Sequence, residues 1–207
     1  MLRGALMQQC GKWQATSRRS SAKMQLIAIL LCLFAAGANA DADKSIDVAV
    51  SISDHEISVD VGCYVRVSAQ LAWSVMTDFD HATRFISKLE KSVVLSRAGD
   101  ILVLWQKGSM GFGPLSIPIE TVAEIRLTPF EKIQSHLLRG NMKKNEAVTR
   151  LIPDAAGTRI VYHLESIPDA WIPPLIGRAL VEYETRARFD ELLDEMLRRK
   201  DLADAKR

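Results

Sequence analysis

The stretch from residue 91 to 165 constrains this chain most. It holds six strand-length segments, Lys91–Ser96, Ile101–Lys107, Ile117–Leu127, Lys132–Arg139, Lys144–Ile152 and Thr158–Glu165. Turn chemistry separates them: Gly99-Asp100, a Gly/Pro-rich loop, Thr128-Pro129, Gly140-Asn141 and Asp154–Gly157. A parallel pair needs a crossover of about a dozen residues or more, and these gaps leave no room for one. The spacing therefore predicts an antiparallel meander and excludes a doubly wound nucleotide-binding sheet. From Pro173-Pro174 the pattern becomes helical and continues to about Lys200, roughly 28 residues and about 42 Å at 1.5 Å per residue. Such a helix can cross a whole small domain. Leu175, Ile176, Ala179, Leu180, Tyr183 and Ala187 form one apolar stripe on it, and Phe189, Leu192, Leu193, Met196 and Leu197 form a second, about a quarter turn away, so its two halves are expected to face different surroundings.

Upstream the period is two. Ile46, Val48, Val50 and Ile52 share a face, Ser53-Asp54-His55 can turn, and Ile57 to Val67 alternates again, which reads as a hairpin. Ile46–Ile52 is expected at the sheet edge. Ser68 can cap a short helix carrying Leu71, Ala72, Val75 and Met76, and a second short helix is expected around Ala82 to Ile86. Cys63 falls on the inward face of its strand with Val61 and Val65, and reads as a small buried hydrophobe.

Residues 1–40 are of another kind. A basic stretch precedes an apolar run from Leu26 to Ala36, and Ala38-Asn39-Ala40 has the form a signal peptidase accepts, so a cleavable leader is expected, with the mature chain beginning near Asp41. Ser17-Arg18-Arg19 with Lys23 partly resembles a twin-arginine signal, and ordinary secretion is the alternative. The apolar run is far below the roughly 20 residues that span a bilayer, so no transmembrane anchor is predicted. Removing the leader's five basic residues leaves 22 Lys and Arg against 25 Asp and Glu, a formal charge of −3. That balance lacks the basic field that would hold a phosphate backbone, which argues against nucleic acid as a partner. Cys10 and Cys32 leave with the leader, so no internal disulfide can form. The remainder, residues 41–207, is enough for one core and is read as a single exported domain, placed in the bacterial periplasm.

Ala72-Trp73-Ser74-Val75-Met76-Thr77-Asp78-Phe79-Asp80 with Phe85, Gly157-Thr158-Arg159-Ile160-Val161-Tyr162, and Trp171-Ile172-Pro173-Pro174-Leu175-Ile176-Gly177 carry a family likeness. Together they resemble the SRPBCC superfamily, in particular its exported polyketide cyclase/dehydrase and coenzyme-Q-binding START-like branch, over nearly all of 57–200. The resemblance implies an α+β helix-grip fold, a curved antiparallel β-sheet wrapped around the long C-terminal helix, with two short helices after the first core strand. It also implies a hydrophobic cavity between sheet and helix for a lipid, quinone or polyketide-like molecule.

The alternation places Ile119, Thr121, Ala123 and Ile125, then Ile133, Ser135 and Leu137, then Ala147, Thr149 and Leu151, and finally Ile160, Tyr162 and Leu164 inward. Several of these are small, which means either a void under the long helix or an unusually close approach of helix to sheet; the void is the preferred reading. The candidate ligand-binding set is Ile119, Thr121, Ala123, Ser135, Leu137, Thr149, Tyr162, Ala179, Tyr183 and Arg186. Arg186 can bind a ligand carbonyl or carboxylate, or belong to a charge ladder with Glu182 and Asp190. The Tyr162 and Tyr183 hydroxyls are either satisfied locally or offered to the ligand. The loop Gly108–Pro114 lacks a phosphate-loop ending and reads as a flap with Met110 and Phe112, or as a plain hairpin loop.

His136 and His163 read as solvent-facing, and Asp78, Asp80 and His81 as capping rather than metal ligands. Arg198-Arg199-Lys200 reads as a complement to the helix dipole. No metal, cofactor or catalytic constellation is predicted. The leading expectation is a non-catalytic carrier of a hydrophobic small molecule, with transient membrane contact compatible with that role. The alternatives are a cyclase or dehydratase using Tyr162, Tyr183 or Arg186, and an interaction module using the sheet edge.

Overall fold

The structure, a computed structural model, describes residues 43–111, 116–169 and 174–206, the side chains of 174 and 175 excepted. The expected leader, Phe112 and the segment Trp171–Pro173 lie outside the described residues. Alternating segments become strands and the cap-bearing segment becomes a helix, in the expected order. β1 (Lys44–Ser53) and β2 (Glu56–Val65) form the hairpin, turning at Asp54 and His55 with φ of 48° and 73°, the left-handed region a tight two-residue turn requires. α1 (Ala69–Met76) follows, with the Ser68 hydroxyl accepting from the Leu71 amide at 3.3 Å. A 3₁₀ turn covers Phe79–Arg84, slightly earlier than the second short helix expected around 82–86.

The meander consists of β3 (Leu89–Ala98), β4 (Ile101–Met110), β5 (Ile117–Thr128), β6 (Lys132–Gly140), β7 (Met142–Asp154) and β8 (Gly157–Pro168). α2 (Pro174–Asp204) runs one turn beyond the expected Lys200. All neighbouring strands are antiparallel, in the order β1-β2-β8-β7-β6-β5-β4-β3. β1 is an edge strand, as expected. Register shifts at Leu89/Lys91, Val94/Ser96, Val122/Ala123 and Met142/Lys144 bend the sheet, since an extra residue on one strand increases local twist. The protein thus has a curved antiparallel sheet with a long C-terminal helix, an α+β helix-grip architecture.

The core is concentrated at one end of the sheet. Val59, Val61, Val65, Val75, Ile160, Leu193 and Met196, all at most 1% exposed, join the β1–β2 hairpin and β8 to the C-terminal half of α2 and to α1. Leu102, Leu104, Ala123, Ile125 and Ile133 form a second cluster, with Trp73, Met76 and Phe79 packed on it. Buried Glu195 fastens this end: it accepts from Arg198 and Arg199, and Arg199 reaches Asp78 beyond α1 at 2.7 Å. These terminal arginines are therefore tied to named carboxylates as well as lying near the helix end. Cys63 is buried among the valines, and burial pushes its thiol up to about 12.

Candidate ligand-binding cavity

The opposite end of the sheet is hollow. Beyond His136↔Glu146 the pairing of β6 with β7 stops, although both strands continue toward their connection. Asn141 in that connection is bonded to β5 instead: its amide donates to the Pro118 carbonyl at 2.7 Å, and its carbonyl oxygen accepts from the Glu120 amide at 2.9 Å. Binding β6's end to β5 leaves β6 and β7 splayed. Under that end lies a cavity of about 590 Å³, within the roughly 300–1,000 Å³ of ligand pockets.

Its apolar wall comes from Ile57, Leu89, Met110, Ile119, Leu164, Val181 and Phe189. Gly108 on β4 also borders it, and here glycine is required: a Cβ would stand 2.3 Å from the Lys88 carbonyl oxygen. Into this wall project a few polar groups. The Tyr162 ring packs on Phe189 with centroids 5.2 Å apart, and burial pushes its hydroxyl up to about 12, with Arg188 nearby acting in the other direction. That hydroxyl makes no hydrogen bond to another described residue. Lys88 Nζ is paired with Glu184 and donates to the Gly111 carbonyl at 2.9 Å, while the Gly111 amide donates to Glu184 Oε1 at 3.2 Å. One carboxylate of α2 thus holds both the entry to β3 and the end of β4.

The expected inward alternation is observed, since Thr121 pairs with Gln106, Ala123 with Leu104, and Tyr162 with Thr149 and Val61. It does not all reach the cavity. Ile119, Thr121, Tyr162 and Tyr183 line it, Tyr183 from the rim with 55% exposure. Ala123 and Thr149 are instead buried in the solid end, at 6% exposure each. Trp73 and Met76 of α1 and Phe79 of the 3₁₀ turn pack on the cluster that holds Ala123, and α1 also contacts β7, so close approach rather than a void uses the space there. Ser135 and Leu137 are half-buried and away from the cavity; Ser135 borders a separate depression of about 310 Å³ beside His136 and His163.

Ala179 and Arg186 are exposed and also away from the cavity. Arg186 donates to the Ile46 carbonyl on β1 at 2.9 Å and lies 3.7 Å from Glu182, which is the charge-ladder alternative with an added bond to the edge strand. Tyr183 and Ala187 of the expected stripe border the cavity, and beside them Val181, Glu184, Thr185 and Arg188 form a row facing it, at helical spacing but polar in three of four places. Ile176 of the expected stripe is 62% exposed. Lys88, Gln106, Asn145, Ser166 and Arg188 were not anticipated; the i, i+3, i+4, i+7 placement of Val181 to Arg188 was the available signal.

His136 and His163 face outward, bonded to Glu146 and Asp60 at 2.7 Å each. Among the described residues no cluster of three or more His, Cys, Asp or Glu is arranged to hold a metal, and no helix is long and apolar enough to cross a membrane.

The family model described as polyketide cyclase/dehydrase and lipid transport matches residues 65–200. The chain belongs to that family. Its matched region starts at the end of β2, so the β1–β2 hairpin lies almost wholly ahead of it. Among solved structures, the ZhuI aromatase/cyclase from Streptomyces sp. R1128 is similar with a TM-score of 0.60 and 19% identity, over 70% of this chain and 96% of that one. A START superfamily protein from Mycobacterium smegmatis gives 0.56 and 17%, over 70% and 98%. A STAR-related lipid transfer protein fragment from Xanthomonas axonopodis gives 0.52 and 14%, over 73% and 98%. At these identities the likeness shows the fold. No curated protein matches the chain.

Proposed function

We propose that this family member binds and carries a hydrophobic small molecule, lipid, quinone or polyketide-like, in the cavity between the sheet and the N-terminal half of α2. The observation that carries the reading is a hollow of about 590 Å³ in a fold whose other end is packed solid. A void of that size forfeits dispersion contacts along its whole lining, a cost that a bound apolar body offsets. Similarity to lipid-transfer and aromatase/cyclase folds supports it. Export to the periplasm belongs to the proposal and rests on residues 1–40.

A second reading, a cyclase or dehydratase, draws on one specific feature: the Tyr162 hydroxyl at the cavity wall, which no other described residue hydrogen-bonds. Mass spectrometry of organic extracts from natively purified protein separates these from a protein–protein module. A retained apolar molecule, with a melting temperature raised when it is added back, supports carriage. An empty extract together with no response to apolar probes would overturn it. Turnover of a polyketide-like substrate, lost in Tyr162→Phe, would establish the enzyme.

A further inference from the structure

The charges around the cavity are unevenly satisfied. Arg188 lies on the cavity-facing row of α2, with Glu184 one turn before it and Glu191 three residues after it. On an exposed helix either carboxylate would be its natural partner. Both are engaged elsewhere: Glu184 with Lys88 and the Gly111 amide, and Glu191 with the Ser87 amide at 3.1 Å. Arg188 consequently has no ion pair among the described residues, although Asp169 also borders the cavity. Two polar groups on the facing strands are in the same condition. The Tyr162 hydroxyl on β8 and the Asn145 amide on β7 make no side-chain hydrogen bond to a described residue, and both line the hollow.

Depth orders these groups. Arg188 is exposed at the rim, whereas Ile57 and Phe189 are buried. An ionised group is costly to place in a dry interior and cheap to keep beside water, so a ligand whose charge meets Arg188 keeps that charge at the rim and turns its apolar part inward. A guanidinium presents paired donors that match the oxygens of a carboxylate or phosphate.

We propose that the cavity's ligand is an amphiphile with a single anionic oxyacid head, carboxylate or phosphate monoester, held by Arg188 at the rim, with Tyr162 and Asn145 as hydrogen-bonding groups along its length. The proposal rests on the carrier reading above and adds the class of head group to it. It also moves the anion-binding role from Arg186, which is engaged with β1, to the residue two positions on.

The test uses the purified protein and three probes that share one chain: dodecanoate, dodecyl phosphate and dodecanol, each titrated against an apolar fluorescent dye taken up by the cavity. The two acids are expected to bind roughly tenfold tighter than the alcohol, the strength of one charge-assisted contact at a rim. The tighter acid assigns the head. Arg188→Gln abolishes the preference, so that within this variant the acids bind no tighter than dodecanol, whereas Arg178→Gln, exposed on the same helix and away from the cavity, keeps the preference. Equal binding of acid and alcohol by the unmodified protein, or a preference that survives in Arg188→Gln, would overturn the head-group assignment and leave the carrier reading standing. Failure of all three probes and of the dye would overturn both.

Discussion

Two leucines of the same size should differ sharply in what their truncation costs. Leu193, on the C-terminal half of α2, is 0% exposed and belongs to the larger core cluster with Val61, Val75 and Ile160. Leu164, on β8, is half-buried and borders the cavity. Leu→Ala removes about 2.4 kcal/mol of transfer free energy at roughly 0.8 kcal/mol per buried methylene. At Leu193 the hole left behind adds a cavity contribution, for a total of about 3–5 kcal/mol. At Leu164 the truncation widens an existing hollow instead of opening one in packed surroundings, and only part of the side chain is withdrawn from water. About 1–1.5 kcal/mol is expected there. In a domain of this size these figures correspond to a fall in Tm of roughly 10 °C for Leu193→Ala and roughly 3–4 °C for Leu164→Ala. Urea unfolding of the unliganded protein reads the same difference as a shift in midpoint at constant slope. If Leu164→Ala proved as costly as Leu193→Ala, the region beneath the N-terminal half of α2 would be packed solid, and the cavity argument would fail.

Three further outcomes rest on the same geometry. The Asp60 hydrogen bond raises His163 above 6.5, so its contribution to stability is complete below that value and is lost as pH rises through the higher folded value; His163→Gln should flatten this alkaline-side decline in denaturation midpoints. On the acid side Glu195, held down by Arg198 and Arg199, contributes above 4.5 and loses that contribution as pH falls through its lower folded value. Gly108→Ala should destabilise by about 1–3 kcal/mol in thermal melting, because its Cβ meets the Lys88 carbonyl at 2.3 Å and that carbonyl is held by the Ser109 amide. Wild-type stability in Gly108→Ala would mean that β3's entry yields freely.

Much of the fold was legible because its signals are local. Ser68 ahead of an apolar helical run is a cap wherever it occurs, and Gly99-Asp100 between two alternating segments is a turn regardless of the rest of the chain. The site was less legible, for a reason visible in α2. Reading Ile176, Ala179 and Tyr183 as the inward stripe assumes that apolar means inward, which holds where a helix packs on a core. A cavity wall removes that condition. Ile176 and Ala179 are exposed away from the hollow and Tyr183 reaches only its rim, while Val181, Glu184, Thr185 and Arg188 face it. Similarly, small residues on the sheet mark lost volume without saying what uses the space. At Ala123 the space is used by α1 and the 3₁₀ turn, whereas at Gly108 the Lys88 carbonyl passes close by at the cavity's edge.

By itself, then, the order of residues determined an antiparallel meander closed by one long helix, because hydrophobic period and turn chemistry act between near neighbours. Tertiary structure alone decided where the interior stays open: at the end where Asn141 binds β5 and β6 leaves β7. It also decided which arginine stands at that opening without an ion pair to a described residue. Such choices depend on which distant groups compete for the same partners, and a linear pattern carries no record of that competition.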